Sequence, residues 1–226
     1  NGHLDIVKAL LAKDGVDVNL KNKYGDYGDT ALIMAAQNGH LDIVKALLAK
    51  DGVDVNLKDN KNGNTALIMA AQNGHLEIVK ALLTKDAIDV NLQNQYGETT
   101  LTWAASKGHL GIVKALLAKP GVDVNLQNTF RNTALMLAAS KGHLDIVNEL
   151  LTKEVVEVNL QDKYGKTALI WAAQNGHLDI VKALLAKDGV DVNLKNKYGD
   201  YGDTALIMAA QNGHLDIVKA LLAKDG

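Results

Sequence analysis

Seven histidines, each preceded by glycine, are the side chains best suited to chemistry in this 226-residue chain: His3, His40, His75, His109, His143, His177 and His214. An imidazole can pass a proton near neutral pH or hold a transition metal through a ring nitrogen. Ser106 and Ser140 each stand three residues before a histidine, a pairing that a nucleophilic hydroxyl and its base would need. The absence of cysteine removes thiol catalysis, disulfides and Cys-based zinc sites. The acidic stretches, Asp26 with Asp29 and Asp59 to Asn64, lack the spacing and terminal Glu of a calcium loop. Neither a phosphate-cradling glycine loop nor a pair of carboxylates occurs.

The histidines are 37, 35, 34, 34, 34 and 37 residues apart, so whatever positions them is itself a repeat. Residues 1–52 recur without substitution as residues 175–226, an offset of 174. In each repeat a threonine (Thr30, Thr65, Thr99, Thr133, Thr167 or Thr204) precedes a short apolar segment such as Ala31-Leu32-Ile33-Met34-Ala35-Ala36. Threonine there caps the free amides of a helix start. That helix has room for about eight residues before Gly39 ends it. A second helix from His40 to Leu48 puts Leu41, Val44, Leu47 and Leu48 on one face, with Asp42 and Lys45 outside. Val53-Asp54-Val55-Asn56-Leu57 alternates apolar and polar, which predicts an extended stretch leading into a turn.

Helices this short do not persist alone, so each pair must stack on the next, and paired alanines such as Ala35-Ala36 allow close approach. The expected fold is an all-α solenoid of stacked helix-turn-helix units with protruding hairpin-like loops. It begins with a partial repeat over residues 1–29, followed by repeats starting near 30, 65, 99, 133, 167 and 204. These form a single array over 1–226 with no capping repeat visible.

That arrangement decides the chemistry. Stacked repeats lie about 8–10 Å apart, whereas zinc ligands sit about 2 Å from the ion, so histidines of neighbouring repeats cannot share a metal. Gln37, Gln72, Gln174 and Gln211 stand where Ser106 and Ser140 do, so no nucleophile is kept. The reading is of a protein that is not an enzyme and holds no cofactor or metal. Its 47% hydrophobic and 22% charged residues are those of a soluble chain. With 24 basic against 26 acidic residues, and Arg131 the one arginine, a nucleic-acid partner is not expected. No apolar run approaches the roughly 18 residues of a membrane span, so insertion is not expected either.

The stretch from Gly28-Asp29-Thr30-Ala31-Leu32 to Ala35-Ala36-Gln37-Asn38-Gly39-His40, then Ile43-Val44, Leu47-Leu48 and Val53-Asp54-Val55-Asn56, resembles the ankyrin repeat. The resemblance extends over the whole chain. It implies structural histidines that begin the second helices, a cytoplasmic location by family default, and a concave face of first helices and loops that holds protein partners. The family's proline is Ala here, or Thr100, and its first histidine is Ile33, Ile68, Thr102, Met136, Ile170 or Ile207. The basic period is 34 rather than the family's usual value of about 33. Glycine gives way to Arg131 in one loop and to Ala87 and Val155 at helix ends. Where such a position is left-handed, a non-glycine residue costs about 1 kcal/mol. Gly111 weakens one second helix by up to about 1 kcal/mol.

On the ankyrin pattern, the two residues before each Gly-His line the groove: Gln37-Asn38, Gln72-Asn73, Ser106-Lys107, Ser140-Lys141, Gln174-Asn175 and Gln211-Asn212. The loop tips carry Tyr24, Tyr27, Tyr96, Phe130 beside Arg131, Tyr164, Tyr198 and Tyr201, while the loop at 58–64 offers Lys61 instead. Rings so placed either meet a partner or fold over their own turns and neighbouring loops. Trp103 and Trp171 take an apolar first-helix position and are expected to fill the core. Leu4, Val7, Leu10 and Leu11 at one end, and Ile217, Leu221 and Leu222 at the other, are expected to be left uncovered. A longer array, an engineered concatemer, or end-to-end stacking into a filament would each account for such ends and for the duplication. The function expected is a scaffold for protein–protein contact, with a filament-forming block as the alternative.

Overall fold

The computed structural model describes residues 3–23, 27–197 and 202–224. The chain forms two compact units, residues 1–122 and 123–226. In the first, the short helices α2 (Ala31–Gln37), α4 (Ala66–Gln72) and α6 (Thr100–Lys107) stack in one row. A second row behind it holds α1 (Leu4–Leu11), α3 (Leu41–Leu48), α5 (Leu76–Leu83) and α7 (Leu110–Leu117). The second unit repeats this layering, with α8 (Ala134–Lys141), α10 (Ala168–Gln174) and α12 (Ala205–Gln211) in front. Behind them lie α9 (Leu144–Leu151), α11 (Leu178–Leu185) and α13 (Leu215–Leu222). Among the described residues there is no strand, and the one bridge joins Lys21 to Thr30.

Each first helix starts as its sequence requires. Thr30, Thr65, Thr99, Thr133, Thr167 and Thr204 all accept a hydrogen bond from the backbone N–H three residues on. Such caps are worth about 1 kcal/mol each. Thr102 replies to Thr99 in a full capping box, which gives a use to the threonine that replaces the family's first histidine there. The paired alanines are buried between rows, as Ala35, Ala36, Ala70 and Ala71 show. In the second helices the buried set is Ile43, Val44, Leu47 and Leu48, while Leu41 is half-buried. Ile43 thus joins the face expected for Leu41, because a helix packed on both its own partner and its neighbours buries a wider stripe. α7 forms in full despite Gly111, where an added Cβ would stand 3.0 Å from Leu76 Cδ2.

Three recurring devices tie repeat to repeat. The Gly-His dipeptide is the first: a Cβ on Gly39 would stand 2.9 Å from Cε1 of His75, so the bare glycine makes room for the next ring. Nε2 of His75 lies 3.1 Å from the Gln37 carbonyl, and His177 and His214 meet the Ser140 and Gln174 carbonyls at 3.3 and 3.1 Å. The second is a lysine after the second helix. Lys50, Lys119, Lys187 and Lys224 donate to the carbonyls of Leu11, Leu83, Leu151 and Leu185, at the C-terminal end of the preceding second helix.

The third lies in the Val-Asp-Val-Asn segment, which does not run as a strand. Asp54 accepts from the Asn56 amide, and Asn56 donates to the Ala87 carbonyl and accepts from the Asp89 amide. Asn19, Asn125 and Asn159 make the same pair of bonds to the repeat that follows.

Ala87 and Val155 keep negative φ, unlike Gly52, Gly121 and Gly189 at the same place. There the chain closes a different turn, with Ile88 and Val156 donating to the Lys85 and Lys153 carbonyls. Both repeats also carry a threonine, Thr84 or Thr152, whose hydroxyl donates back to the helix. The strain considered for these two positions is therefore absent. Arg131 does adopt φ 61°, as a glycine replacement in that loop requires.

Candidate protein-binding groove

In each unit, the front row of helices and the loops rising from them form the surface to which that unit's groove and tip residues belong. Three of the loops are each built around one buried polar side chain. Asn94 accepts from the amides of Tyr96 and Glu98, Asn128 from Phe130 and Asn132, and Asp162 from Tyr164 and Lys166. Neighbouring loops are then joined through the main chain: Asn60 donates to the Tyr27 carbonyl, Gln95 to Asn62, Lys163 to Phe130 and Lys197 to Tyr164. Within each unit these bonds hold the tips on a rigid edge.

The tip rings are exposed: Tyr96 by 54%, Phe130 by 50%, and Tyr27 and Tyr164 less. Tyr27 is engaged from above, since Lys61 Nζ lies 4.2 Å over its ring and donates to its hydroxyl. Lys61 thus braces a neighbouring ring rather than replacing one. Arg131 stays exposed, its carbonyl accepting from Gln127 Nε2. Tyr24, Tyr198 and Tyr201 lie outside the described residues.

Below the tips, in the first unit, is a cavity of about 400 Å³. Gln37, Met69, Gln72, Asn73 and Trp103 approach it from the helices. Asn62, Asn64, Asn94 and Tyr96 close it from the loops. Asn38 and Asn73 each turn back to donate to a carbonyl of their own helix, Met34 and Met69. Lys107 is exposed, with Nζ 5.7 Å over the Trp103 ring, and Ser106 is half-buried. In the second unit Ser140 accepts from Asn175, Lys141 is exposed, and Gln174 accepts from Lys166.

Trp103 and Trp171 are half-buried groove residues, not core fillers. Their position also holds Met34, Met69 and Leu137, which are exposed or half-buried because it faces out from the front row, and Met208, which is buried. A two-residue apolar signal could not distinguish that direction from the core. The two indoles differ in their partners. Trp171 Nε1 donates to Asp162, and Lys166 Nζ lies 4.1 Å over its ring. Burial lowers the Lys166 pKa, against an opposing pull from Asp162. Trp103 Nε1 is shielded from water and has no hydrogen-bond partner.

At the chain's outer helices, Leu4, Val7 and Leu11 are half-buried, while Ile6 and Leu10 are 60% and 55% exposed. Ile217 and Leu221 are buried, because that side of α13 packs inward on its own unit. The exposed apolar side chains there are Ile207, Leu215 and Leu222. Among the described residues no three carboxylates or imidazoles come together to hold an ion, and no helix is long and apolar enough to cross a membrane.

Comparison with known proteins agrees with this geometry. A family model described as ankyrin repeats in three copies matches residues 1–59, 52–128 and 101–196. A single-repeat model of the same description matches residues 201–226. A crystal structure described as that of an ankyrin repeat protein superposes with a TM-score of 0.80 at 32% identity, covering 93% of this chain and 100% of the other. No curated protein matches.

Proposed function

Since the chain belongs to the ankyrin-repeat family, we propose that it is a non-catalytic scaffold that holds a protein partner against its front helices and loop tips. Ankyrin repeats generally mediate protein–protein contact. The observation that carries the reading is the rigid presentation of exposed rings: Tyr96, Phe130 and Tyr164 stand on loops pinned by Asn94, Asn128 and Asp162. Aromatic anchors that need little ordering on binding give affinity at low entropic cost.

The test is selection of ligands for the full chain from a phage-displayed library of natural protein fragments. The variant carrying Tyr96→Ala, Phe130→Ala and Tyr164→Ala should keep its helical circular dichroism yet bind selected fragments at least about tenfold more weakly. Fragments bound equally well by that variant, or no fragment at all, would overturn the scaffold reading. Loss of helicity would show instead that the rings serve the fold.

A further inference from the structure

The two tryptophans occupy the same helix position in two repeats, and their surroundings differ: Asn94 and Glu98 stand in one loop where Asp162 and Lys166 stand in the other. Around Trp171, Asp162 takes the indole N–H, and Lys166 donates to Gln174 while covering the ring. Around Trp103 the loop offers Asn94 where the other has Asp162, and Asn94 spends its carboxamide on Asn64 and on two loop amides. The indole nitrogen of Trp103 is left unmatched. Among the described residues, the side-chain amides of Gln37 and Gln72 meet no hydrogen-bond partner, nor does Nδ2 of Asn62 or Asn64.

No charged residue lines this cavity of about 400 Å³. Lys107, with Nζ 5.7 Å over the Trp103 ring, stays outside the lining. A partner's charged side chain would therefore lose water in the cavity without meeting a counter-charge on its wall. Carboxamides present a donor and an acceptor side by side, the complement of a peptide unit. Resting on the scaffold reading above, we infer that this groove takes an uncharged, extended peptide segment of the partner. Its main-chain groups bond to Gln37, Gln72 and Asn62, and an apolar side chain sits against Met69 and Trp103. A carbonyl of the segment reaches the Trp103 N–H on a side-chain adjustment of the kind common at interfaces. The Trp171 site, already matched, takes no such segment.

The experiment pans a phage library of random peptides of about 12 residues against the full chain, then measures the synthetic peptides by fluorescence anisotropy. The selected peptides should carry no net charge. Their affinity should change by less than about twofold between about 50 and 500 mM salt. Trp103→Leu, the residue type found at 137, and Gln72→Ala should each weaken binding about tenfold, whereas Trp171→Phe should not. In the Trp171→Phe variant the one remaining indole, Trp103, should shift its emission on binding. A charged, salt-sensitive consensus, indifference to Trp103→Leu and Gln72→Ala, or binding of a glycan array with no peptide selected would each overturn the inference. Peptides that map to Phe130 and Tyr164 would overturn it and leave the scaffold reading standing.

Discussion

Cε1 of His109 lies where a side chain on Gly74 would begin: a Cβ built there stands 2.8 Å from it. Gly74 also has φ +77°, so this glycine, like Gly39, Gly142 and Gly176, serves two needs. It turns the chain out of the first helix, and it leaves a socket for the histidine of the following repeat. Gly52, with φ +79° and nothing within 4 Å, serves the first need alone.

Gly74→Ala should therefore cost more than Gly52→Ala. The second substitution carries the left-handed penalty of about 1 kcal/mol, and the first adds overpacking of about 1–3 kcal/mol. Thermal denaturation of both variants checks this. Equal losses would mean the ring moves aside freely, and His109→Ala should relieve most of the excess in Gly74→Ala.

Asn56→Ala removes two bonds to the next repeat, 2.7 Å to the Ala87 carbonyl and 2.9 Å from the Asp89 amide. A loss of about 1–3 kcal/mol is expected. Amide exchange should accelerate at Asp89 first, and unchanged protection there would contradict the role given to this asparagine.

Arg131→Gly should stabilise the chain by about 1 kcal/mol, since φ 61° then carries no penalty. Val155→Gly should destabilise, because that turn has negative φ and gains nothing from glycine's freedom. Urea melts of the two variants moving in the same direction would refute the distinction.

Asp29 has its pKa raised above 3.8 by burial and by the nearby Asp59 carboxylate, against a hydrogen bond from Asn22. It thus holds its proton more tightly folded than unfolded, and stability falls as pH rises from below 3.8 through the folded value. Asp29→Asn removes that dependence. Its melting temperature should exceed the parent's at pH 7 by about 1–2 °C, and the gain should vanish near pH 3.

The repeats, the threonine caps, the helix pairs and the structural place of the histidines were legible because each rests on a local pattern. The Val-Asp-Val-Asn segment was not. Its alternation satisfies the strand period, but Asp54 and Asn56 are spent on a turn and on a carbonyl 31 residues away. No local pattern carries that information. The same limit applies to Trp103 and Trp171, whose helix faces outward where the apolar residue type alone suggests the core. At α13, Ile217 and Leu221 belong to the inward stripe and Leu222 to the outward one, a distinction set by the rotation of the packed helix.

The inter-repeat hydrogen bonds join residues 30 to 40 positions apart, from Asn91 with Gly121 to His214 with Gln174. Loop closure grows only with the logarithm of the segment enclosed, so each added repeat faces nearly the same entropic barrier as the one before it. Folding can then advance by accretion, one helix pair laid on a finished neighbour, without waiting for distant parts of the chain to meet. A gene that duplicates such a module adds length without a new folding problem, which makes the verbatim return of residues 1–52 at 175–226 physically inexpensive.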